Sequence, residues 1–181
     1  MTILEVIFLG TLNNNLNKQK NSYFFMAIIV TGTPGTGKTK VAKSIASRLK
    51  FNYVDINKII KENKLIVGYD KKRDTNVVDD KKLVRILIGI IKKNKKIVID
   101  GHLSHCVPSK HVDLCIVTRC DLKTLKRRLE KRGYGKLKIK ENLDAEIFEV
   151  ILNEALALKH KVFIINTSSK KSLSSKTSFS F

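Results

Sequence analysis

Apolar positions along this chain fall into two rhythms that alternate. Met26-Ala27-Ile28-Ile29-Val30, Tyr53-Val54, Ile97-Val98-Ile99, Leu114-Cys115-Ile116-Val117 and Val162-Phe163-Ile164-Ile165 are short continuous runs, the pattern of strands buried on both faces. Between them, apolar residues recur at helical spacing over 41–49, 56–62, 81–93, 121–131 and 138–158. Strand alternating with helix predicts an α/β, three-layer fold with a central, mostly parallel sheet. Such a sheet gathers its ligands beyond the carboxyl ends of its strands. Residues 13–22 are polar and low in complexity, and the stretch from Thr167 is rich in Ser and Lys; neither can build a core. The pattern therefore predicts one domain over 26–166, a disordered tail over 167–181, and a segment 1–25 outside the domain. Because Met26 opens the first buried run, residues 1–25 either precede the true translation start, the reading favoured here, or form a natural disordered extension.

The first strand runs straight into Gly32-Thr33-Pro34-Gly35-Thr36-Gly37-Lys38-Thr39, which matches G-x-x-x-x-G-K-[ST] and is followed by a helical pattern. Strand, loop and helix stand in the order a phosphate-binding loop requires. Glycines let successive backbone N–H groups turn inward toward phosphate oxygens, and the helix N-terminus adds partial positive charge. Lys38 is expected to reach the terminal phosphates and the Thr39 hydroxyl to bind Mg²⁺.

A second source of chemistry lies where Ile97-Val98-Ile99 delivers Asp100 to the same sheet edge, the place for a second Mg²⁺-side carboxylate. Gly101-His102 follows. A neutral imidazole there could orient a water or take a proton, so His102 is a candidate catalytic residue, whereas His105 is read as structural. Arg119, Arg127, Arg128 and Arg132 form a cationic series, and Arg132-Gly133-Tyr134 breaks the helical pattern as a mobile flap would. Between the second strand and third helix, the polar connection from Gly68 to Asp80 is long for an α/β unit and could hold a second substrate.

Charge alters this picture and cysteine content does not. The chain has 36 Lys and Arg against 16 Asp and Glu, a formal net charge of +20. Only Lys18 and Lys20 against Glu5 precede Met26, and only Lys170, Lys171 and Lys176 follow Asn166, so the charge belongs to the domain. A body this basic attracts nucleotides and RNA, and an rRNA contact stands beside a merely solvated surface as its reading. Cys106, Cys115 and Cys120 are odd in number with no C-x-x-C pair, which argues against a disulfide framework and a zinc site. The apolar stretch Ile3-Leu4-Glu5-Val6-Ile7-Phe8-Leu9 is too short to span a bilayer and lacks signal-peptide flanks. A cytoplasmic protein with no membrane partner is expected.

Taken in order, Val30 to Thr39, Tyr53-Val54-Asp55-Ile56-Asn57, Gly68-Tyr69-Asp70 with Arg73-Asp74-Thr75, Val98-Ile99-Asp100-Gly101-His102, Glu130-Lys131-Arg132-Gly133-Tyr134 and Glu141 to Phe148 resemble the small archaeal and nuclear-type adenylate kinases, the isoenzyme 6-like family that includes the coilin-interacting nuclear ATPase. The resemblance implies a P-loop kinase core of the nucleoside-monophosphate-kinase type, a monophosphate-binding segment at about 55–78 and a short lid at about 131–141. It implies adenylate kinase activity (ATP and AMP giving two ADP), broad nucleoside-monophosphate kinase activity and ATP hydrolysis. It further implies a role in maturation of the small ribosomal subunit through the eleventh small-subunit protein; the alternative is an ATPase assembly factor with little kinase role. Carried over residue by residue, Gly35, Gly37, Lys38, Thr39 and Lys40 line the ATP phosphates, Arg132 contacts ATP from the lid, Thr39 and Asp100 serve Mg²⁺, and Lys38, Asp100, His102 and Arg132 act in catalysis. Two departures stand out. Lys61 replaces an arginine of some relatives, and the Ser-rich end replaces the helix that usually follows the last strand.

Overall fold

The computed structural model describes residues 26–168; the segment 1–25 and the tail beyond Ser168 lie outside the described residues. The predicted strands and helices form, with additions. In chain order they are β1 (Met26–Thr31), α1 (Lys38–Leu49), β2 (Asn52–Asp55), α2 (Ile56–Glu62), β3 (Ile66–Asp70), β4 (Thr75–Val78), α3 (Asp80–Lys93), β5 (Lys96–Asp100), β6 (Leu114–Arg119), α4 (Leu122–Lys131), α5 (Lys136–Ile147), α6 (Val150–Ala157) and β7 (Val162–Asn166). Five strands make one sheet in the order β2-β5-β1-β6-β7, and every pairing in it is parallel.

Alternation along β1 explains why both faces are covered. Met26, Ile28 and Val30 pack with Val41, Ala42, Ile45 and Ala46 of α1 on one side. Ala27 and Ile29 face α2, α3 and α6 through Ile56, Leu83, Leu87 and Leu152 on the other. Each strand residue is thus buried whichever way it points, which a continuous apolar run requires. β1 lies between β5 and β6, where the winding of the sheet reverses, so the loop 32–37 emerges at the crevice such a reversal creates.

The structure corrects the sequence expectations in three places. The connection from Gly68 to Asp80 is not a loop: β3 and β4 pair antiparallel, with Tyr69 opposite Asn76 and Asp70 opposite Thr75. Arg73 N–H donates to Asp70 Oδ1 at 3.1 Å to brace the turn. The helix expected over 138–158 is two helices broken at Glu149, whose φ is 54°. The break is held by Arg119, whose Nη2 donates to the Glu146 carbonyl at 3.0 Å and whose Nη1 pairs with the Glu149 carboxylate; a side chain caps a last-turn carbonyl where the helix would otherwise continue. The segment 131–141, a short lid by resemblance, comprises the end of α4 at Lys131, a link over 132–135 and the first turns of α5 from Lys136.

Finally, the packed chain runs past 166. Thr167 N–H donates to Arg119 O at 2.7 Å, and Ser168 Oγ accepts from Asp121 N–H at 2.8 Å.

Candidate active site

The loop between β1 and α1 is shaped by contacts that exclude side chains. Gly32 has φ 139°, and a Cβ there would lie 2.4 Å from Thr118 O; at Gly35, φ 96°, a Cβ would lie 2.7 Å from Leu125 Cδ1. Only glycine meets both demands. Threonines tie the loop down on every side. Thr36 Oγ1 donates to Thr33 O at 2.8 Å and lies 2.7 Å from Thr118 Oγ1, and Thr167 Oγ1 donates to Thr36 O at 2.6 Å. Arg128 reaches across from α4 to Gly35 O at 3.3 Å and Thr167 O at 2.7 Å.

α1 starts from Gly37 with no side-chain cap and no acidic residue in its first turn. Its first N–H groups therefore need partners from outside the helix, and the dipole favours an anion there. Lys38 folds over the same opening, its ammonium donating to Gly32 O at 2.8 Å and Thr33 O at 3.0 Å. Burial pushes its pKa down to about 8; Asp100 opposes that shift and Arg132 reinforces it. The structure thus brings Gly35, Gly37, Lys38 and Asp100 together with Arg132 in electrostatic reach, while Thr39 and Lys40 are exposed on the first turn of α1.

Asp100 is buried at the end of β5, 3% exposed. Its Oδ2 accepts a hydrogen bond from the Tyr53 hydroxyl at 2.9 Å, and its Oδ1 has no hydrogen-bond partner. Burial, then the bond to Asp100, raises the Tyr53 pKa, so the phenol keeps its proton. His102 follows, half-buried. Burial, then the charge of Lys38, holds its pKa near 4, which leaves a neutral imidazole at neutral pH. His105 is a core residue, with Nδ1 2.9 Å from Thr31 Oγ1 and Nε2 3.0 Å from Glu154 Oε2.

Arg119, one of the cationic series, is spent on Glu146 and Glu149, and Arg128 on the loop. Sequence reasoning assigned no role to Glu146, yet it is 4% exposed and accepts from Thr33 Oγ1 at 2.6 Å, Cys120 N–H at 3.2 Å and Arg119 Nε at 3.3 Å. Its signals were a place in the stretch Glu141 to Phe148 and a position seven residues after the buried Ile139 on the same helix.

Mg²⁺ fits this donor set. Asp100 Oδ1 is a buried carboxylate oxygen without a partner, on a residue in electrostatic reach of the loop lysine, and Mg²⁺ is bound by one or two protein carboxylates together with phosphates rather than by a protein cage. No cluster of three His, Cys, Asp or Glu that could hold a metal occurs among the described residues. All three cysteines are free, and burial pushes Cys115 up to about 12 and Cys120 to about 11, so neither is a thiolate at neutral pH.

A parallel sheet reversing at β1, with a glycine loop and lysine at its carboxyl edge, defines a P-loop nucleotide-binding fold of the kinase type. A family profile described as an AAA domain matches residues 28–149. Shikimate kinase from Bacteroides thetaiotaomicron superposes with a TM-score of 0.55 over 82% of this chain and 91% of that one, at 17% identity, a likeness of fold. The adenylate kinase isoenzyme 6 homolog of Dictyostelium discoideum is 43% identical over 71% of this chain and 73% of its own. The corresponding homolog FAP7 of Saccharomyces cerevisiae is 41% identical over 71% of this chain and 66% of its own. The chain belongs to the adenylate kinase isoenzyme 6 family.

Proposed function

We propose that this protein transfers the γ-phosphoryl group of ATP to AMP, accepts other nucleoside monophosphates, and hydrolyses ATP when water takes the acceptor's place. The observation that carries this reading is the pairing of the Lys38 ammonium over an uncapped helix N-terminus with the unpartnered Oδ1 of Asp100 at the same edge. Phosphoryl transfer asks a protein for alignment and charge stabilisation rather than covalent chemistry.

In this reading Gly35, Gly37, Thr39 and Lys40 bind the phosphates, and Lys38 neutralises charge on the transferred group. Arg132 adds a second cation from the end of α4. Thr39 and Asp100 would hold Mg²⁺, which supplies charge neutralisation on the phosphates when bound. The neutral imidazole of His102 orients the acceptor water or takes its proton. The segment 55–78, with α2 and the β3–β4 hairpin, holds the monophosphate.

A second reading keeps the site and changes the acceptor. In it, ATP hydrolysis drives a cytoplasmic assembly step on the small ribosomal subunit, through its eleventh small-subunit protein or rRNA. The net charge of +20 favours it.

One assay separates the two: ADP formation from ATP with and without AMP, and with and without small ribosomal subunits. The kinase reading expects AMP to accelerate ADP formation at least about tenfold, a barrier difference of about 1.4 kcal/mol. Acceleration by subunits with none by AMP would replace it with the second reading.

A further inference from the structure

β2 lies at the edge of the sheet, beside β5, in a register that sets Tyr53 opposite Val98 and Asp55 opposite Asp100. Side chains two apart on a strand share a face, so Val98 and Asp100 both point to the α1 side, where Val98 packs with Val41, Ala42 and Tyr53. Tyr53 therefore shares that face and leans along its strand past Val98 toward Asp100. Its hydroxyl reaches Oδ2 at 2.9 Å. An ionised carboxylate only accepts hydrogen bonds, so the phenol is the donor and its proton stays on the tyrosine. Oδ1 is buried and has no partner, and a buried acceptor left unpaired is costly unless something else satisfies it. The ring packs against the buried cluster that holds Val41, Ala42 and Val98, and lies under Lys43 Nζ at 5.5 Å from its centroid.

We propose that Tyr53 is a positioning residue for phosphoryl transfer: by holding Oδ2 of Asp100 it turns Oδ1 toward the Mg²⁺–nucleotide complex. The inference rests on the reading of Asp100 as the metal-side carboxylate. Groups that orient a ligating carboxylate without touching the metal typically contribute 10- to 100-fold to metal affinity or activity. A carboxylate free to rotate would present either oxygen, or both, and would have to be ordered each time nucleotide binds. Tyr53 removes that requirement in advance.

The test uses the full chain, with Mn²⁺ as the metal probe, bound Mn²⁺ followed by electron paramagnetic resonance in the presence of ATP. Tyr53→Phe keeps the ring and removes the hydroxyl. It is expected to weaken Mn²⁺·ATP binding about tenfold while leaving the melting temperature and the binding of ATP in EDTA unchanged. Asp100→Asn is expected to weaken Mn²⁺·ATP further, and the double variant no further than Asp100→Asn alone, because Tyr53 acts only through Asp100. Tyr53→Leu, which removes packing as well, should lower the melting temperature yet weaken Mn²⁺·ATP no more than Tyr53→Phe.

Mn²⁺·ATP binding by Tyr53→Phe within about twofold of the parent, a difference of about 0.4 kcal/mol, overturns the proposal. So does an equal loss in EDTA, which would mark a packing role. If Asp100→Asn also binds Mn²⁺·ATP like the parent, the metal-side reading of Asp100 falls with it; if Asp100→Asn weakens binding and Tyr53→Phe does not, only Tyr53 loses its role.

Discussion

Lys38 is held at two loop carbonyls, in surroundings that disfavour its charge, and that sets a testable limit on the free enzyme. Its pKa is lowered to about 8, so raising the pH through that value removes the cation that captures phosphate. The kcat/KM for ATP, which reports the free enzyme, is expected to fall above about pH 8. A flat profile to about pH 9.5, near an ordinary lysine's range, would contradict this. His105 acts on stability instead. Burial lowers its pKa below the usual 6.5 although Glu154 opposes the shift, and His160 and Cys106 face it as well. The unfolded chain then binds the proton more readily, so stability present above about pH 6.5 is lost as the pH falls through it. Melting temperatures between pH 7.5 and 5.5 should show a shallower decline for His105→Gln than for the parent; equal slopes would place the acid sensitivity elsewhere. At this scale, the gathering of Gly32 to Thr39, Asp100 and His102 near one sheet edge was legible, because a phosphate-loop pattern and a strand-end carboxylate are residue types in a fixed order along the chain. Tyr53 and Glu146 were not, since their meaning comes from neighbours 47 and 113 residues away.

Glu146 shows how one element steadies another. It joins α5 to the phosphate loop through Thr33 and to β6 through Arg119 and the Cys120 N–H. Removing one partner of a buried pair costs about 3–5 kcal/mol because the other charge is left uncompensated. Arg119 also holds Glu149, so the low end applies. Glu146→Leu is expected to lower the melting temperature by about 6–12 °C at roughly 2–4 °C per kcal/mol, with weaker ATP binding from the loosened loop. A shift under about 2 °C, less than 1 kcal/mol on that scale, would show that α5 docks without it. Elements with a buried stripe were legible from periodicity, as α3 is, with Leu83, Leu87 and Ile91 buried on one side. The β3–β4 hairpin left no such trace, because Ile66, Val67, Tyr69 and Val77 are all exposed and its order comes from backbone pairing. The break at Glu149 has no glycine or proline to announce it; Arg119, from another strand, makes it.

At the scale of the whole molecule, β1 has a strand on each side and a covering on each face. A chain beginning at Met26 is therefore expected to melt within about 5 °C of the full chain and to match its activity; a larger loss would place Ile3 to Leu9 in the core. The parallel order was legible in outline because strand and helix alternate with little room for other topologies. Which strand lies at the centre was not, since all five runs are apolar. Among the described residues no helix is long and apolar enough to cross a membrane. What the sheet accomplishes is to bring Lys38, at the end of β1's loop, and Asp100, at the end of the neighbouring strand, to one edge. The most direct measurement is the steady-state rate of ADP formation from ATP and AMP by the parent, Lys38→Ala and Asp100→Ala. Both variants are expected to turn over about 10²–10³-fold more slowly, since each loses charge stabilisation that solvent does not rebuild, with melting temperatures showing them folded. Rates within about threefold of the parent, a barrier change of about 0.7 kcal/mol, would contradict the assignment of this site.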